Sequence, residues 1–311
     1  MGMKKFAAKL AAAALTGVLA LGGTATIGGG ANNSLLASAD AAPVGSGFAF
    51  TPTAKGACTS TMVIAIPGGG NTVDGVPDSV PHGFLVGQVA NQLSAQGIAQ
   101  RTVSYRATPF FTLSYDQSMR QGYGKARQLI AQTAAHCPNA KFALVGFSEG
   151  SDIASHIIAD INAGRGPIPA KRFATAALIA NPHNGPESKH KGGTLRDGEG
   201  ILGAMRGYGK LGDRVLDICN IDDFVCNRYA TTPGARAIAK NMLHASAANG
   251  YAGLDPMQVV GEAPRIAMGT RQHTKTYQFI SPIPHAVGHV LAHRGLPEAE
   301  NSGAQPGHRP R

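Results

Sequence analysis

Tryptophan is absent from the 311-residue chain, and acidic residues are scarce. Lysine and arginine total 28 against 18 aspartate and glutamate residues, which gives a net charge of +10 at neutral pH. The basic residues are scattered and are not interleaved with aromatic side chains, so the sequence lacks the pattern of a nucleic-acid-binding surface. We therefore expect no nucleic-acid partner. Such a basic surface either contacts an anionic envelope or polymer or is simply solvated.

Metal-binding patterns are also missing. No Cys-x-x-Cys pair is present, and no His-x-x-x-His pair comes with a supporting carboxylate, although His82, His183 and His190 invite the hypothesis. The sequence therefore predicts neither a metal site nor a cofactor.

The N-terminal apolar run is too short to span a bilayer comfortably. Lys4 and Lys5 precede the run from Leu10 to Leu21, and Ala37-Ser-Ala39 offers a small-residue cleavage site. This pattern predicts a signal peptide over residues 1–39, with a retained N-terminal anchor as the alternative. In either case we expect the folded part to lie outside the cytoplasm, secreted or peripherally associated with the envelope.

One large domain fits the length and composition better than two, since 43% of the residues are hydrophobic and no internal repeat is present. We assign this domain to residues 40–296 and expect a monomer. Two stretches, at about 181–212 and 227–270, would be insertions in it. Residues 297–311 are rich in proline, glycine and charge, which predicts a disordered tail.

The four cysteines are an even number in a chain that carries an export signal, which predicts two disulfides. Four cysteines allow three pairings. Cys219 and Cys226 would close a small loop, which leaves Cys58 to pair with Cys137.

Short apolar runs alternate with helical patterns along the chain, which indicates a mostly parallel sheet with helices on both faces. The predicted strands cover residues 61–66, 102–105, 141–145, 173–179 and 214–218. The predicted helices cover residues 84–93, 115–135, 151–158, 235–248 and 284–293. In such folds the chemistry is carried by loops at the carboxyl ends of the strands.

The pentapeptide Gly146-Phe-Ser-Glu-Gly150 lies between a predicted strand and a predicted helix. This order is typical of the nucleophile elbow, in which the glycines leave room for a strained turn and the serine oxygen stands at the edge of the sheet. Ser148 is therefore the candidate nucleophile. A serine hydroxyl also needs a base that takes its proton and a carboxylate that orients the base.

The carboxylate of a parallel α/β hydrolase follows a later strand. The segment from Cys219 to Cys226 follows the predicted strand 214–218, and both Asp222 and Asp223 within it qualify. Its pattern, Cys-x-x-x-Asp-x-Val-Cys, resembles the acid loop of the cutinase family. These small secreted serine esterases include acetylxylan esterases and actinobacterial lipid esterases.

The resemblance extends to the elbow, to the spacing of Cys58 and Cys137, and to a run in the helix before the elbow that contains Tyr115, Ser118 and Gly122. It covers residues 56–226 well and the remainder loosely. It implies a three-layer α/β-hydrolase fold, and it implies Asp223 as the catalytic acid with Asp222 as a solvent-facing neighbour.

The base is implied by the same resemblance, because the family places its histidine in a His-x-x-Tyr-like segment before the terminal helix. His273-Thr-Lys-Thr-Tyr277 fits this layout, with one extra residue before the tyrosine and about 45 inserted residues before the histidine. The alternatives are His285, at the start of the predicted terminal helix, and His244, inside a predicted helix. We prefer His273 because we expect it to lie in a loop, where a general base can move.

An oxyanion hole requires two backbone donors near Ser148. One should be the N–H of Glu149, and the other should come from the Pro67–Asn71 loop, with Gly69 as the first candidate and Gly70 as the second. Relatives carry a serine or threonine in this loop, and a glutamine in place of Glu149. A carboxylate beside a developing negative charge would oppose the reaction unless it points away or is paired.

The sequence thus predicts a secreted serine esterase that hydrolyses carboxylic esters through a Ser-His-Asp triad and an acyl-enzyme. The resemblance implies lipid esters in or near the cell envelope. One alternative is a deacetylase of carbohydrates such as xylan. Another is a catalytically weak homologue that binds envelope polymers through its basic surface.

Overall fold

The computed structural model describes residues 57–279 and 281–294. The predicted signal peptide and the predicted C-terminal tail lie outside the described residues. Six strands form one sheet in the order β2-β1-β3-β4-β6-β5, and every pairing is parallel. The strands are β1 (Thr61–Ile66), β2 (Gln100–Thr102), β3 (Lys141–Phe147), β4 (Phe173–Ile179), β5 (His190–Gly193) and β6 (Val215–Cys219).

Helices cover both faces of the sheet. They are α1 (Val86–Ala95), α2 (Tyr115–His136), α3 (Glu149–Asn162), α4 (Pro233–Asn241), α5 (Pro256–Phe279) and α6 (Ile283–His293). Because side chains alternate along a strand, β1 sends Ile64 to a core shared with α2 and α3, and Val63 to a second core shared with α1 and α6. The three-layer α/β architecture predicted from the sequence is confirmed.

A third apolar cluster lies in the segment that follows β6, within the predicted insertion 227–270. Ile238 of α4 packs there with Met242, Tyr251 and Val259. We call residues 231–270 the cap. The predicted helix 235–248 is shorter in the structure, because α4 ends at Asn241 and two short 3₁₀ turns follow.

Two other elements differ from the prediction. The stretch 181–212, for which the sequence predicts no strand, contains the edge strand β5, which pairs with β6. Its sequence, His-Lys-Gly-Gly, has no apolar alternation that would reveal a strand. The strand predicted at 102–105 lies at Gln100–Thr102 instead.

Both predicted disulfides are present. Cys58–Cys137 joins the segment before β1 to the end of α2, and Cys219–Cys226 closes the loop after β6. Within residues 57–279 and 281–294, no helix combines the length and the hydrophobicity needed to cross a membrane.

Candidate active site

Ser148 occupies a strained turn between β3 and α3. Its φ of 53° and ψ of −121° lie in a region that non-glycine residues rarely adopt. The turn is held from both sides, since the Ser148 N–H donates to the Ile179 carbonyl and the Ser148 carbonyl accepts from the N–H groups of Ser151 and Asp152. This strained turn therefore places the Ser148 hydroxyl at the edge of the sheet.

The two glycines of the pentapeptide are required by close approach of backbone. A Cβ atom on Gly150 would overlap the carbonyl oxygen of Ile66 in β1, and one on Gly146 would lie 2.6 Å from the carbonyl oxygen of Gly150. The elbow thus packs against the neighbouring strand with no space for a side chain.

We expect Gly150→Ala to lower the free energy of unfolding by about 3 kcal/mol or more, since the added methyl group must displace the backbone of a buried strand. Chemical denaturation measures the change. Gly124→Ala is the matched control, because Gly124 lies in α2 with open space around its Cβ position, and there the substitution should stabilise by up to about 1 kcal/mol. Equal denaturation midpoints for Gly150→Ala and the parent would contradict the claim that the elbow has no space for a side chain at this position.

Asp223 is fully buried in the disulfide-closed loop after β6. Its Oδ1 accepts from the Val225 N–H at 2.9 Å, and its Oδ2 accepts from the Tyr277 hydroxyl at 2.9 Å. Burial and the charge of Asp223 raise the pKa of Tyr277 well above its ordinary value, so the phenol stays a donor. Asp222 is exposed, and the structure thus distinguishes the two candidates.

His273 connects Asp223 to Ser148. Its Nδ1 lies 3.0 Å from both carboxylate oxygens of Asp223, and its Nε2 lies 2.9 Å from Ser148 Oγ. A carboxylate only accepts, so Nδ1 carries the proton and Nε2 can accept from the Ser148 hydroxyl. The imidazole stacks on the Phe147 ring at 5.3 Å between centroids, and its side chain is 13% exposed.

His273 lies on helix α5, which makes the expected loop position wrong. His273 and Tyr277 are one turn apart on this helix, and both side chains reach Asp223. The four-residue spacing accounts for the extra residue before the tyrosine. The sequence signal for the contact between Tyr277 and Asp223 is this helical spacing, which the resemblance alone does not provide.

The other two candidate bases do not reach the nucleophile. His244 is exposed and lies 3.8 Å from the Asp116 carboxylate, and His285 is exposed on α6. Among the residues that the structure describes, His273 is the one that hydrogen-bonds Ser148 Oγ.

Two free backbone donors lie beside Ser148. The Gly70 N–H is occupied, because it donates to the Ala107 carbonyl at 2.6 Å. The N–H groups of Gly69 and Glu149 donate to no acceptor within the described part of the chain. A Cβ atom on Gly68 would lie 3.1 Å from Ser148 Cβ, so this loop approaches the elbow closely.

The Glu149 side chain points into the protein and is 1% exposed. Neither carboxyl oxygen has a hydrogen-bond partner among the described residues, since the nearby Tyr105 hydroxyl donates to the Pro67 carbonyl. Burial raises the pKa of Glu149 to about 8, and the charge of Asp152 adds to the rise. At neutral pH the group is therefore mainly an uncharged carboxylic acid, which removes the conflict that a carboxylate would create beside an oxyanion.

A largely apolar pocket of about 180 Å³ opens at Ser148 and His273. The cap supplies 8 of its 17 lining residues. The others come from the stretch 181–212, from the acid loop, from Phe110 and Tyr115 at and before the start of α2, and from Ser148 and His273 themselves. The lining residues are Phe110, Tyr115, Ser148, Pro182, Ile201, Leu202, Phe224, Val225, Thr231, Ala235, Ile238, Ala239, Met242, Leu243, Ile266, Thr270 and His273. Both insertions predicted from the sequence thus border the candidate site.

The chain is similar to known proteins in sequence and in fold. The family model described as Cutinase matches residues 57–248. The Carboxylesterase Culp6 homolog of Corynebacterium glutamicum is 29% identical over 247 residues, which cover 69% of this chain and 80% of that protein. Carboxylesterase Culp1 of Mycobacterium tuberculosis is 26% identical over 168 residues, which cover 54% of this chain and 69% of that protein.

Solved structures share the architecture at low sequence identity. Lysin B from Mycobacteriophage D29 superposes with a TM-score of 0.50 at 15% identity and covers 70% of this chain and 91% of its own. The catalytic core domain of acetyl xylan esterase from Trichoderma reesei gives a TM-score of 0.48 at 17% identity and covers 76% of this chain and all of its own. The likeness to lysin B is one of fold.

Proposed function

Since this chain belongs to the cutinase family and is a carboxylic ester hydrolase, we propose that it is a secreted serine esterase that cleaves lipid esters through Ser148, His273 and Asp223. The observation that carries the proposal is the continuous hydrogen-bond chain from Asp223 through His273 to Ser148, which ends in an apolar pocket.

In the first half of the reaction, Ser148 Oγ attacks the ester carbonyl while His273 Nε2 takes its proton. Asp223 holds the imidazole in the tautomer that leaves Nε2 free, and it stabilises the imidazolium that forms. Val225 and Tyr277 each donate to Asp223, which fixes the carboxylate in this orientation. The imidazolium then passes its proton to the alcohol that departs, and the acyl group remains on Ser148.

The tetrahedral oxyanion would be held by the N–H groups of Glu149 and Gly69. Both are free of other acceptors in the described structure, whereas the Gly70 N–H is not. Preorganised donors of this kind contribute about 10²–10³-fold each to kcat. In the second half, His273 takes a proton from water and the hydroxyl attacks the acyl carbon. The bond from that carbon to Ser148 Oγ then breaks as the proton returns to Oγ, and the carboxylic acid departs.

The apolar pocket supports lipid esters over acetylated carbohydrates. Its volume of about 180 Å³ is many times the ~10–15 Å³ that one water molecule requires. An acetyl group would leave much of this space unfilled, whereas a longer acyl chain would bury its methylene groups, at about 0.8 kcal/mol each.

Extracytoplasmic location is supported by the two disulfides, which persist in oxidising compartments. The predicted signal peptide over residues 1–39 agrees with this assignment. Net positive charge favours peripheral contact with an anionic envelope.

The proposal is tested by labelling the protein with a fluorophosphonate and by measuring hydrolysis of nitrophenyl acetate, butyrate, octanoate and palmitate. We expect stoichiometric labelling, with the added mass on the peptide that contains Ser148, and higher kcat/KM for the longer esters than for the acetate. A folded protein that is neither labelled nor active would favour the envelope-binding homologue. Activity confined to the acetate would favour carbohydrate deacetylation.

A larger side chain in the pocket wall should shift the substrate preference of the enzyme toward esters with shorter acyl chains. Ala239 of α4 lines the pocket, so Ala239→Trp should lower kcat/KM for the octanoate relative to the acetate by about 10-fold or more, because an acyl chain that loses the burial of two or more methylene groups loses about 0.8 kcal/mol for each. Ala237→Trp is the matched control, since Ala237 lies on the same helix, is exposed and does not line the pocket. An equal change for both esters in Ala239→Trp would show that this pocket does not bind the acyl chain.

A further inference from the structure

A second cluster of polar side chains lies beside the elbow and has no part in the chemistry above. Asp152 and His156 are one turn apart on α3, and His183 comes from the segment after β4. Asp152 Oδ1 lies 3.2 Å from His156 Nε2 and 3.4 Å from His183 Nε2. One ligand atom from each of the three residues lies within 4.8 Å of the other two.

The carboxylate of this cluster is buried and incompletely satisfied. Asp152 is 1% exposed, and its Oδ2 accepts from the Tyr115 hydroxyl at 2.7 Å. Its Oδ1 lies near two imidazole nitrogens but makes no well-aligned hydrogen bond with them or with any other described group. A buried carboxylate oxygen without a partner is costly, so this arrangement is suited to a positive charge between the three side chains.

One of the two imidazoles is already set in the form that binds a metal. His183 Nδ1 lies 2.8 Å from the Gly203 carbonyl, which can only accept, so Nδ1 carries a proton and Nε2 is the nitrogen that can bind a metal. A backbone carbonyl on the far nitrogen is the usual way in which proteins orient a ligating histidine. The Tyr115 hydroxyl orients Asp152 in the same manner.

The ligand separations fit a tetrahedral ion. Bonds of about 2.0–2.1 Å from Zn²⁺ to nitrogen and oxygen ligands place neighbouring ligand atoms about 3.3 Å apart. The two separations that end at Asp152 Oδ1, 3.2 and 3.4 Å, match that edge length, and the two imidazoles offer ligand atoms within 4.8 Å of each other. Two imidazoles and one carboxylate are also a ligand set that zinc uses, with a water molecule in the fourth position.

We propose that Asp152, His156 and His183 bind one Zn²⁺ ion that fastens helix α3 to the segment after β4. His156 is 40% exposed, which gives the ion a path from solvent. The other group of candidate ligands in the described residues, Cys58, His136 and Cys137, is unsuitable because both sulfur atoms are held in a disulfide.

The bound ion would act on the elbow and the pocket through their backbone. The Asp152 N–H donates to the Ser148 carbonyl, and His183 follows Pro182, which lines the pocket. Zinc would therefore hold the nucleophile turn against one pocket wall without touching the ester. This role does not depend on the proposed substrate, so it can be tested without an activity assay.

The test is equilibrium dialysis of the untagged chain against Zn²⁺, with the melting temperature as a second measurement. We expect one bound equivalent and a rise of several degrees in melting temperature. His156→Gln and His183→Gln should each weaken binding by about 100-fold or more. Tyr115→Phe, which keeps all three ligands, should weaken it by about 10-fold, as loss of an outer hydrogen-bond partner does.

His293→Gln is the matched control, because His293 lies in a separate histidine group with His190 and His289 and should not affect zinc binding. Substitution of Co²⁺ for zinc should give the visible absorption of a tetrahedral site, which His183→Gln should abolish. Circular dichroism of each variant separates loss of the site from loss of the fold. Absence of zinc binding, loss of binding in His293→Gln, or unchanged binding in folded His156→Gln and His183→Gln would each overturn the proposal.

Discussion

Replacement of His273 by alanine is expected to lower kcat for ester hydrolysis by about 10⁴-fold or more. Without the imidazole, the Ser148 hydroxyl has no base within hydrogen-bond distance, because the described structure gives its oxygen no other side-chain partner. The free backbone donors and the pocket remain, so a residual rate above the uncatalysed one should persist. The measurement is kcat for nitrophenyl butyrate, with circular dichroism to verify the fold.

The competing histidines supply the controls for this prediction. His244→Ala and His285→Ala each remove an exposed imidazole that does not contact Ser148, so both variants should retain the parent kcat within about two-fold. Ser148→Ala should lower kcat as far as His273→Ala does. The double variant should be no slower than either single variant, since the two groups act as one unit. A large loss in His285→Ala or His244→Ala, with His273→Ala active, would reassign the base.

The central strands could be predicted from the sequence because each is a continuous apolar run. Strands β1 and β4 are buried along their whole length, and runs of six or seven residues have the length of a strand inside a covered parallel sheet rather than that of a helix. Strand β5 could not be predicted, because Gly192 and Gly193 carry no side chain that could signal burial. Its position depends on the pairing with β6, which is a tertiary contact.

The candidate site likewise contains some parts that could be predicted from the sequence and others that could not. Ser148 and Asp223 lie in short local patterns, so their positions followed from a few neighbouring residues. Helix α5 contains Pro264 and Gly269, which lower intrinsic helix propensity and conceal the helix in the sequence. The structure explains the glycine, because a Cβ atom on Gly269 would lie 2.5 Å from the Phe224 ring of the acid loop. Packing of α5 against the acid loop therefore stabilises the helix by more than the low helix propensity of these residues destabilises it.

The three proposed zinc ligands could not be recognised in the sequence for a related reason. A sequence pattern for such a site needs two histidines four residues apart with a supporting carboxylate. The structure instead pairs Asp152 with His156 on one helix turn, and it brings His183 to them from the end of another strand. Ligands that meet only through the sheet topology leave no fixed spacing in the sequence.

Glu149→Gln should raise the free energy of unfolding above neutral pH relative to the parent. It should also remove the fall in kcat that we expect of the parent at alkaline pH. Burial raises the pKa of Glu149 from 4.5 to about 8, so the folded protein keeps a proton that the unfolded chain releases. Stability from this group is therefore complete below about pH 4.5 and decreases as the pH rises toward 8. The difference between the two pKa values corresponds to at most about 5 kcal/mol.

Glutamine cannot ionise, so the variant should lack this decrease, although its buried amide still has few partners. Ionised Glu149 would also place a negative charge next to Gly69, since a Cβ atom there would lie 3.1 Å from Glu149 Oε2. That charge would oppose the oxyanion, and kcat of the parent should accordingly fall above about pH 8, whereas kcat of Glu149→Gln should not.

The two consequences are measured by chemical denaturation at pH 5, 7 and 9 and by kcat over the same range. Asp222→Asn is the matched control, because it removes an exposed carboxylate from the loop that holds Asp223 and should leave both profiles as in the parent. If Glu149→Gln lost stability between pH 5 and 8 as steeply as the parent, the buried carboxyl would not be the group that titrates. If only the stability profile changed, Glu149 would affect the fold without affecting the oxyanion donors, and the assignment of Gly69 would have to be abandoned.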